Sequence, residues 1–203
     1  VVSPCEQHTT GKGRRRNMDP AIVSEVRPNI WVGSQWSIKE LEKVSSVHGR
    51  DGGNGHDARK SWTIITALGW TKSIEGCQQM VADIKAKHDG HNRKGKNSEQ
   101  TDQTENAPSF IHDHIIWNIA DDDAANSRIF GGEALEGVLV AIDESMERPN
   151  GACLVHCSFG ISRSVSIVIA WLITRKRMSL QSALSIVQTA RHGAQPKAAL
   201  MTA

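Results

Sequence analysis

Nowhere in its 203 residues does the chain carry the roughly 20 consecutive apolar residues that a membrane span requires. Its opening stretch, VVSPCEQHTTGKGRRRN, lacks the apolar centre of a secretory signal. A soluble protein without a membrane span is expected. Cysteine is scarce: Cys5, Cys77, Cys153 and Cys157 are scattered and contain no CxxC pair, too few and too dispersed for a disulfide scaffold. The expected setting is therefore reducing and intracellular, the cytoplasm first and the nucleus as the alternative. Basic excess is also missing. The 24 Lys and Arg barely outnumber the 22 Asp and Glu and form no dense stripe, so DNA or RNA binding is not expected. Tyrosine is absent, and neither that nor the six Trp points to a function. The chain starts at Val1, not Met, and stops at Ala203, compatible with a piece cut from a longer protein.

Length suits one well-cored domain with tails or loops to spare. The first 23 residues are polar and read as a flexible tail, with Arg14-Arg15-Arg16 either solvated or a docking point for a kinase partner. Order is expected from Ser24. EVRPNIWVGS reads as two short extended pieces around Pro28, followed by a helical stretch from Ser37 to about Val47. The glycine-rich stretch 48–60 reads as a surface insertion, and no GK[ST] follows it, which excludes a phosphate loop of that type. Trp62–Leu68 is β-branched and apolar, the composition of a buried strand. Cys77, Met80, Val81 and Ile84 then recur at helical spacing, so Cys77 is read as core. Residues 88–109 are almost wholly polar and read as a second insertion.

The last hundred residues alternate in the same way. Phe110–Ile119 reads as a strand, and Leu135, Val138, Leu139, Ile142 and Met146 as one helix face. A turn at Pro149-Asn150-Gly151 leads into a short buried strand that ends at His156-Cys157. Ser164–Thr174 is apolar nearly all round, and Leu180, Ala183, Leu184 and Val187 mark a final amphipathic helix capped by Ser179. The expected class is α/β, a central, mostly parallel sheet flanked by helices in a single domain over 24–200.

The chemistry concentrates in VHCSFGISRS, residues 155–164. A strand that turns tightly through Gly160 and enters a helix leaves backbone N–H groups converging on one space, which favours an anion. A cysteine at the start of such a loop feels the same field, and its thiol pKa should fall from about 8.5. Six residues on, the planar fork of Arg163 can hold two oxygens of a phosphate. Cys-x5-Arg in this context describes a nucleophile facing a phosphoryl group. No cofactor or metal is called for. His112 and His114 alternate on one strand face at a spacing open to a metal, but no third ligand stands at useful spacing. Cys153 lies four residues before Cys157 on the same strand side and is read as core, with a resolving-thiol role as the alternative.

HCSFGISRS resembles the HCxxGxxR signature of the protein tyrosine phosphatases, and the neighbouring text is similar to their dual-specificity subfamily. RPNIWVGS resembles the family's opening strand pair, DDDAANSRIF its general-acid loop and MSLQSAL the helix after the catalytic one, covering roughly Ser24 to Lys197. The resemblance implies a two-step reaction. Cys157 attacks phosphorus to form a phosphocysteine, while Arg163 and the N–H groups from Ser158, Phe159, Gly160, Ile161 and Ser162 to Arg163 bind the equatorial oxygens. His156 orients the loop, and Ser164 assists release of the thiolate. The leaving oxygen needs a proton from a carboxylic acid on another loop. Asp121 is the expected acid, on its spacing to Ala125-Asn126 and Phe130, with Asp122 second and helix capping or solvation as the role of the remaining carboxylates of Asp121–Asp123. The chain departs from the family ending at Arg191-His192 and at Pro196-Lys197-Ala198-Ala199-Leu200.

The loop side chains Ser158, Phe159, Ile161 and Ser162 are neutral. A site for polyphosphorylated inositol lipids or an RNA triphosphate would add basic residues there, so phosphoprotein is the expected substrate, phosphotyrosine first and phosphoserine or phosphothreonine more weakly. The alternatives are a phosphate-binding pseudophosphatase or adaptor, or a phosphoinositide or RNA phosphatase of the same fold.

Overall fold

The computed structural model describes residues 22–48, 60–91, 109–120 and 132–197. Both expected insertions for the most part, the Arg14–Arg16 tail and Asp121–Asp123 lie outside these residues.

The chain crosses from extended to helical structure where its apolar spacing changes. Val23–Arg27 (β1) and Ile30–Ser34 (β2) form a hairpin around Pro28-Asn29, with Asn29 in the left-handed region at φ 65° and its N–H bonded to Glu25. A 3-10 turn, Gln35–Glu40, runs into Leu41–His48 (α1). Ser61–Leu68 (β3) follows the first insertion, and Thr71–His91 (α2) follows β3. Then come Ile111–Asn118 (β4), Glu133–Glu147 (α3), Gly151–Cys157 (β5), Arg163–Lys176 (α4) and Leu180–Ala190 (α5), the last capped by the Ser179 hydroxyl.

Helix α2 runs further than expected. Residues 88–91 belong to it and not to the polar insertion. His88 stacks on Phe110 with ring centroids 4.1 Å apart and bonds Glu42 at 2.8 Å. These contacts with the residue before β4 and with α1 fasten a helix end whose own composition is too polar to hold it.

The five strands form one sheet in the order β1-β2-β5-β3-β4. Only β1 and β2 pair antiparallel; β2-β5, β5-β3 and β3-β4 are parallel. Strands β3 and β5 are buried along their whole length, as expected of strands covered on both faces. On one face, Trp62, Ile64, Ala152 and Leu154 pack with Ile38, Leu41, Cys77 and Val81. On the other, Cys153, Val155 and Ile65 pack with Val138, Ile142, Val168 and Val187 of the last three helices. Burial of this kind contributes about 25 cal/mol per Å² of apolar surface. Among the described residues no helix is long and apolar enough to cross a membrane.

The consequence for function is positional. Strand β5 lies between β2 and β3, and its carboxyl end opens where the chain's connections diverge to either side. In open parallel sheets this is where ligands bind.

Candidate active site

At the end of β5 the chain leaves the sheet with Cys157, only 3% exposed, and turns into α4 at Arg163. The turn depends on Gly160, whose φ is +68°. A Cβ there would also meet the Gly33 carbonyl at 2.5 Å and the Arg191 Nη2 at 2.7 Å, so backbone shape and space both demand glycine. Gly33 is tight as well, since a Cβ would run into the Ser37 hydroxyl that fastens Ile22.

The turn folds its donors onto the sulfur. The Gly160 N–H donates to Cys157 Sγ at 3.2 Å, and the Ser164 hydroxyl donates at 3.3 Å from the first turn of α4. Burial pushes the Cys157 thiol up, but the Ser164 hydroxyl and backbone, the Arg163 charge and the Gly160 N–H together hold it below its ordinary value. The thiolate form is therefore favoured. Cys77 and Cys153 show the opposite, with burial pushing them up to about 11 and about 12. Cys153 cannot serve as a resolving thiol for Cys157 within this fold. Four residues of strand separate them by about 13 Å, whereas a disulfide needs Cα atoms within about 7 Å.

Arg163 is 5% exposed and reaches over the same space. Its Nη2 donates to Ser158 Oγ at 2.9 Å and its Nη1 to the Ile119 carbonyl at 3.1 Å. Ile119 follows β4 directly and precedes Asp121 by two residues, so the arginine is fastened to the start of the segment that carries the expected acid. Asp121 and Asp122 themselves lie outside the described residues. Phe159 projects from the loop and is 65% exposed. The other side chains of the turn are held less by themselves than by the last described segment. The Ile161 carbonyl accepts the Gln195 N–H at 2.9 Å, and Ser162 Oγ accepts the Lys197 N–H at 3.1 Å.

Three partners were not assigned to this site from the sequence. Arg191, at the end of α5, is 7% exposed and donates through Nε to the Gly160 carbonyl at 2.5 Å and through Nη2 to the Phe159 carbonyl at 3.0 Å. It is the arginine of the family's Arg-Pro pair, followed here by His192 in place of proline, and that match was the available signal. Burial lowers its pKa, and the nearby Cys157 raises it. Thr66 and His114 are the other two. His156 is fully buried, and its Nε2 meets Thr66 Oγ1 at 2.7 Å, while the same oxygen meets His114 Nε2 at 2.8 Å. His114 is thus engaged with the sheet interior, and His112 on the same strand is exposed. Burial, with His114 nearby, holds His156 at about 3, against a smaller opposing pull from the Cys157 backbone. It is neutral throughout the ordinary pH range.

Comparison with known proteins adds a family. The model of the dual specificity phosphatase catalytic domain matches residues 71–203. Dual specificity protein phosphatase 1 of Arabidopsis thaliana is 36% identical over 83 residues, 41% of this chain and 39% of that protein. Dual specificity protein phosphatase 1B of the same plant is 42% identical over 55 residues, 27% of this chain and 32% of the relative. The chain thus spans well under half the length of these two relatives. The crystal structure of human DUSP28 superposes with a TM-score of 0.55 at 19% identity, covering 90% of each chain. That of human tyrosine phosphatase-like serine/threonine/tyrosine-interacting protein gives 0.52 at 24% identity, over 88% of this chain and 89% of the other. At these identities the structural likeness speaks to the fold.

Proposed function

The chain belongs to the dual specificity phosphatase catalytic-domain family, and from that premise we propose that it hydrolyses phosphate monoesters on protein side chains through a phosphocysteine. The observation that carries this reading is the convergence of the Gly160 N–H and the Ser164 hydroxyl on a buried Cys157 sulfur beside Arg163. A sulfur so surrounded is held toward the thiolate, the nucleophilic form.

In the first step the Cys157 thiolate forms a bond to phosphorus as the bond from phosphorus to the ester oxygen breaks, and Asp121 gives its proton to the departing oxygen. The loop N–H groups and Arg163 hold the three equatorial oxygens and match their charge. In the second step water attacks the phosphocysteine, Asp121 takes the water proton, and the bond from sulfur to phosphorus breaks. The Ser164 hydroxyl, already aimed at Sγ, stabilises the thiolate that leaves. His156 keeps the strand end in register with the loop.

The same chemistry supports the remaining assignments. A thiolate nucleophile survives only where thiols stay reduced, which favours an intracellular site of action, the cytoplasm first. The catalytic unit is residues 24–200, preceded by a tail in which Arg14–Arg16 is solvated, with docking of a kinase as the alternative role. Phosphoproteins are the substrates.

The test is phosphate release from an aryl phosphate by the purified chain without added metal, run beside Cys157→Ser. The expected result is turnover by the native chain and less than about a thousandth of it in the serine variant, with phosphopeptide binding retained. Binding without turnover in the native chain would make it a phosphate-recognition protein instead.

A further inference from the structure

The Thr66 hydroxyl sits between two imidazoles, and it has only one hydrogen to give. Both histidines meet it through Nε2, at 2.7 Å for His156 and 2.8 Å for His114. At most one ring can accept from it, so at least one of the two donates to the oxygen. The register builds this arrangement into the sheet. Thr66 pairs directly with His156 across β3 and β5, and His114 lies on β4 two residues before Ile116, the partner of Thr66. In a pleated sheet these three positions share one face.

Direction depends on which nitrogen of the His156 ring carries its proton. The Cys157 backbone favours a protonated His156 ring, as an acceptor facing an N–H does. His156 Nδ1 makes no hydrogen bond of standard geometry among the described residues, so this contact is electrostatic and not a well-formed bond. With the proton on Nδ1, Nε2 of His156 accepts the Thr66 hydroxyl hydrogen, and His114 Nε2–H donates to the Thr66 oxygen. His114 is half-buried on the edge strand, whereas Thr66 and His156 are fully buried. The chain of bonds thus runs from near the surface, through the sheet, to the residue bonded to the nucleophile.

We propose that His114 is a positioning residue for the phosphatase reaction, fixing through Thr66 the tautomer and orientation of His156 and thereby the backbone on which the Cys157 loop is built. Without a donor at His114 the Thr66 hydroxyl is free to turn its hydrogen away from His156. The His156 ring then loses the acceptor role that defines it, and the strand end is less firmly held under Gly160 and Ser164. The groups facing His114 keep it in the neutral donor form. Burial acts first and Lys85 of α2 second, with Asp113 of its own strand opposing them and His156 neutral beyond Thr66.

The inference rests on the proposed function for its kinetic readout but not for its chemical one. Two measurements are made on His114→Phe, His114→Gln and Thr66→Val, with Tm as the control for folding: kcat and KM on an aryl phosphate, and the pH dependence of iodoacetamide modification followed on the Cys157 peptide by mass spectrometry. His114→Phe keeps the ring volume without the donor. It should lower kcat by about fivefold or more with KM within about twofold, and move the alkylation midpoint upward. His114→Gln, whose amide can donate to Thr66, should recover most of both. Thr66→Val removes only the shared hydroxyl and carries the same expectation as His114→Phe, so it decides the matter if the phenylalanine variant fails to fold. Combined with His114→Phe it should add little, because both cut one chain of bonds. An unshifted midpoint with unchanged kcat, a glutamine variant no better than phenylalanine at equal Tm, or full additivity of the two substitutions would each overturn the proposal. Absence of turnover in the native chain together with a shifted midpoint would defeat the phosphatase reading and leave the His114 chain standing.

Discussion

Arg191 grips the outside of the catalytic turn at Gly160, its Nε donating to the Gly160 carbonyl at 2.5 Å from 31 residues away in sequence. A second bond, Nη2 to the Phe159 carbonyl at 3.0 Å, turns the next peptide the same way. Carbonyls drawn outward leave their N–H groups pointing inward, as the Gly160 N–H does toward the Cys157 sulfur. The turn around the Cys157 sulfur is therefore shaped from behind by a cation bonded to its carbonyls.

Replacing Arg191 should accordingly damage both folding and catalysis. Arg191→Met leaves two buried carbonyls without their donors, each a loss of about 1–3 kcal/mol, and should lower Tm. Arg191→Lys keeps the charge but offers one point donor in place of a fork. A fall in kcat of about tenfold or more is expected for the lysine variant, equal to about 1.4 kcal/mol in the barrier. Steady-state kinetics beside thermal unfolding checks this, and native kcat in Arg191→Lys would show that the fork is dispensable.

The nucleophile should titrate low. Burial raises the Cys157 thiol, and the donors from Ser164, Arg163 and Gly160 more than offset it. Its alkylation rate should therefore rise with pH to a plateau whose midpoint lies below the ordinary cysteine value of about 8.5. Ser164→Ala removes the hydroxyl at 3.3 Å from the sulfur and should shift that midpoint upward. An unmoved midpoint would assign the stabilisation to the loop backbone and Arg163 alone.

His156 gives the fold a specific acid weakness. Its folded pKa of about 3 lies far below the ordinary value of about 6.5. Below pH 6.5 the unfolded chain binds a proton that the folded chain refuses. Stability is then complete above about pH 6.5 and falls with acidification at up to about 1.4 kcal/mol per pH unit. His114, also lowered by burial, adds in the same direction. Urea unfolding between about pH 6.5 and pH 5 should show a slope that His156→Gln makes shallower by up to about one proton. Equal slopes in the two proteins would mean that His156 is not the group responsible.

The acid is tested by leaving-group dependence. Asp121→Asn should slow hydrolysis of esters with poor leaving groups much more than that of activated aryl esters, and should remove the basic limb of the pH profile. If Asp122→Asn behaves so and Asp121→Asn does not, the assignment shifts by one residue. The position of Ile119, bonded to Arg163 at 3.1 Å, brings the start of this segment to the site whichever carboxylate acts.

How much of this was legible beforehand depended on distance along the chain. Strand, turn and helix around Cys157 occupy consecutive residues, so their chemistry could be read directly from VHCSFGISRS. Strands β3 and β5 declared themselves by composition, since burial on both faces leaves mostly apolar and β-branched residues. Arg191, Thr66 and His114 could not be read as one site. Thr66 and His114 meet His156 through the register of three parallel strands, and Arg191 reaches the turn through the docking of α5, and no local pattern encodes either. The end of α2 was misread for a related reason. Its polar residues resemble a loop until Phe110 and Glu42 arrive beside His88.

Substrate class follows from what the loop lacks. Between Cys157 and Arg163 no side chain is basic, and the two buried arginines are committed nearby, Arg163 over the cradle and Arg191 to the carbonyls behind it. The backbone N–H groups and one guanidinium can balance one phosphoryl dianion, but the loop holds no partner for a neighbouring phosphate. Phe159, standing 65% exposed at the rim, offers an apolar face to whatever carries that phosphate, which favours an aromatic over an aliphatic ester. Phosphotyrosine peptides should therefore be the best substrates, phosphoserine and phosphothreonine peptides weaker ones, and Phe159→Ala should narrow the gap by raising KM for phosphotyrosine. A side-by-side phosphate-release assay checks the class. If a trisphosphorylated inositol lipid or a 5′-triphosphate RNA is turned over about tenfold more efficiently than every phosphopeptide tried, a gap of about 1.4 kcal/mol in transition-state stabilisation, the protein-substrate reading fails while the cysteine chemistry stands.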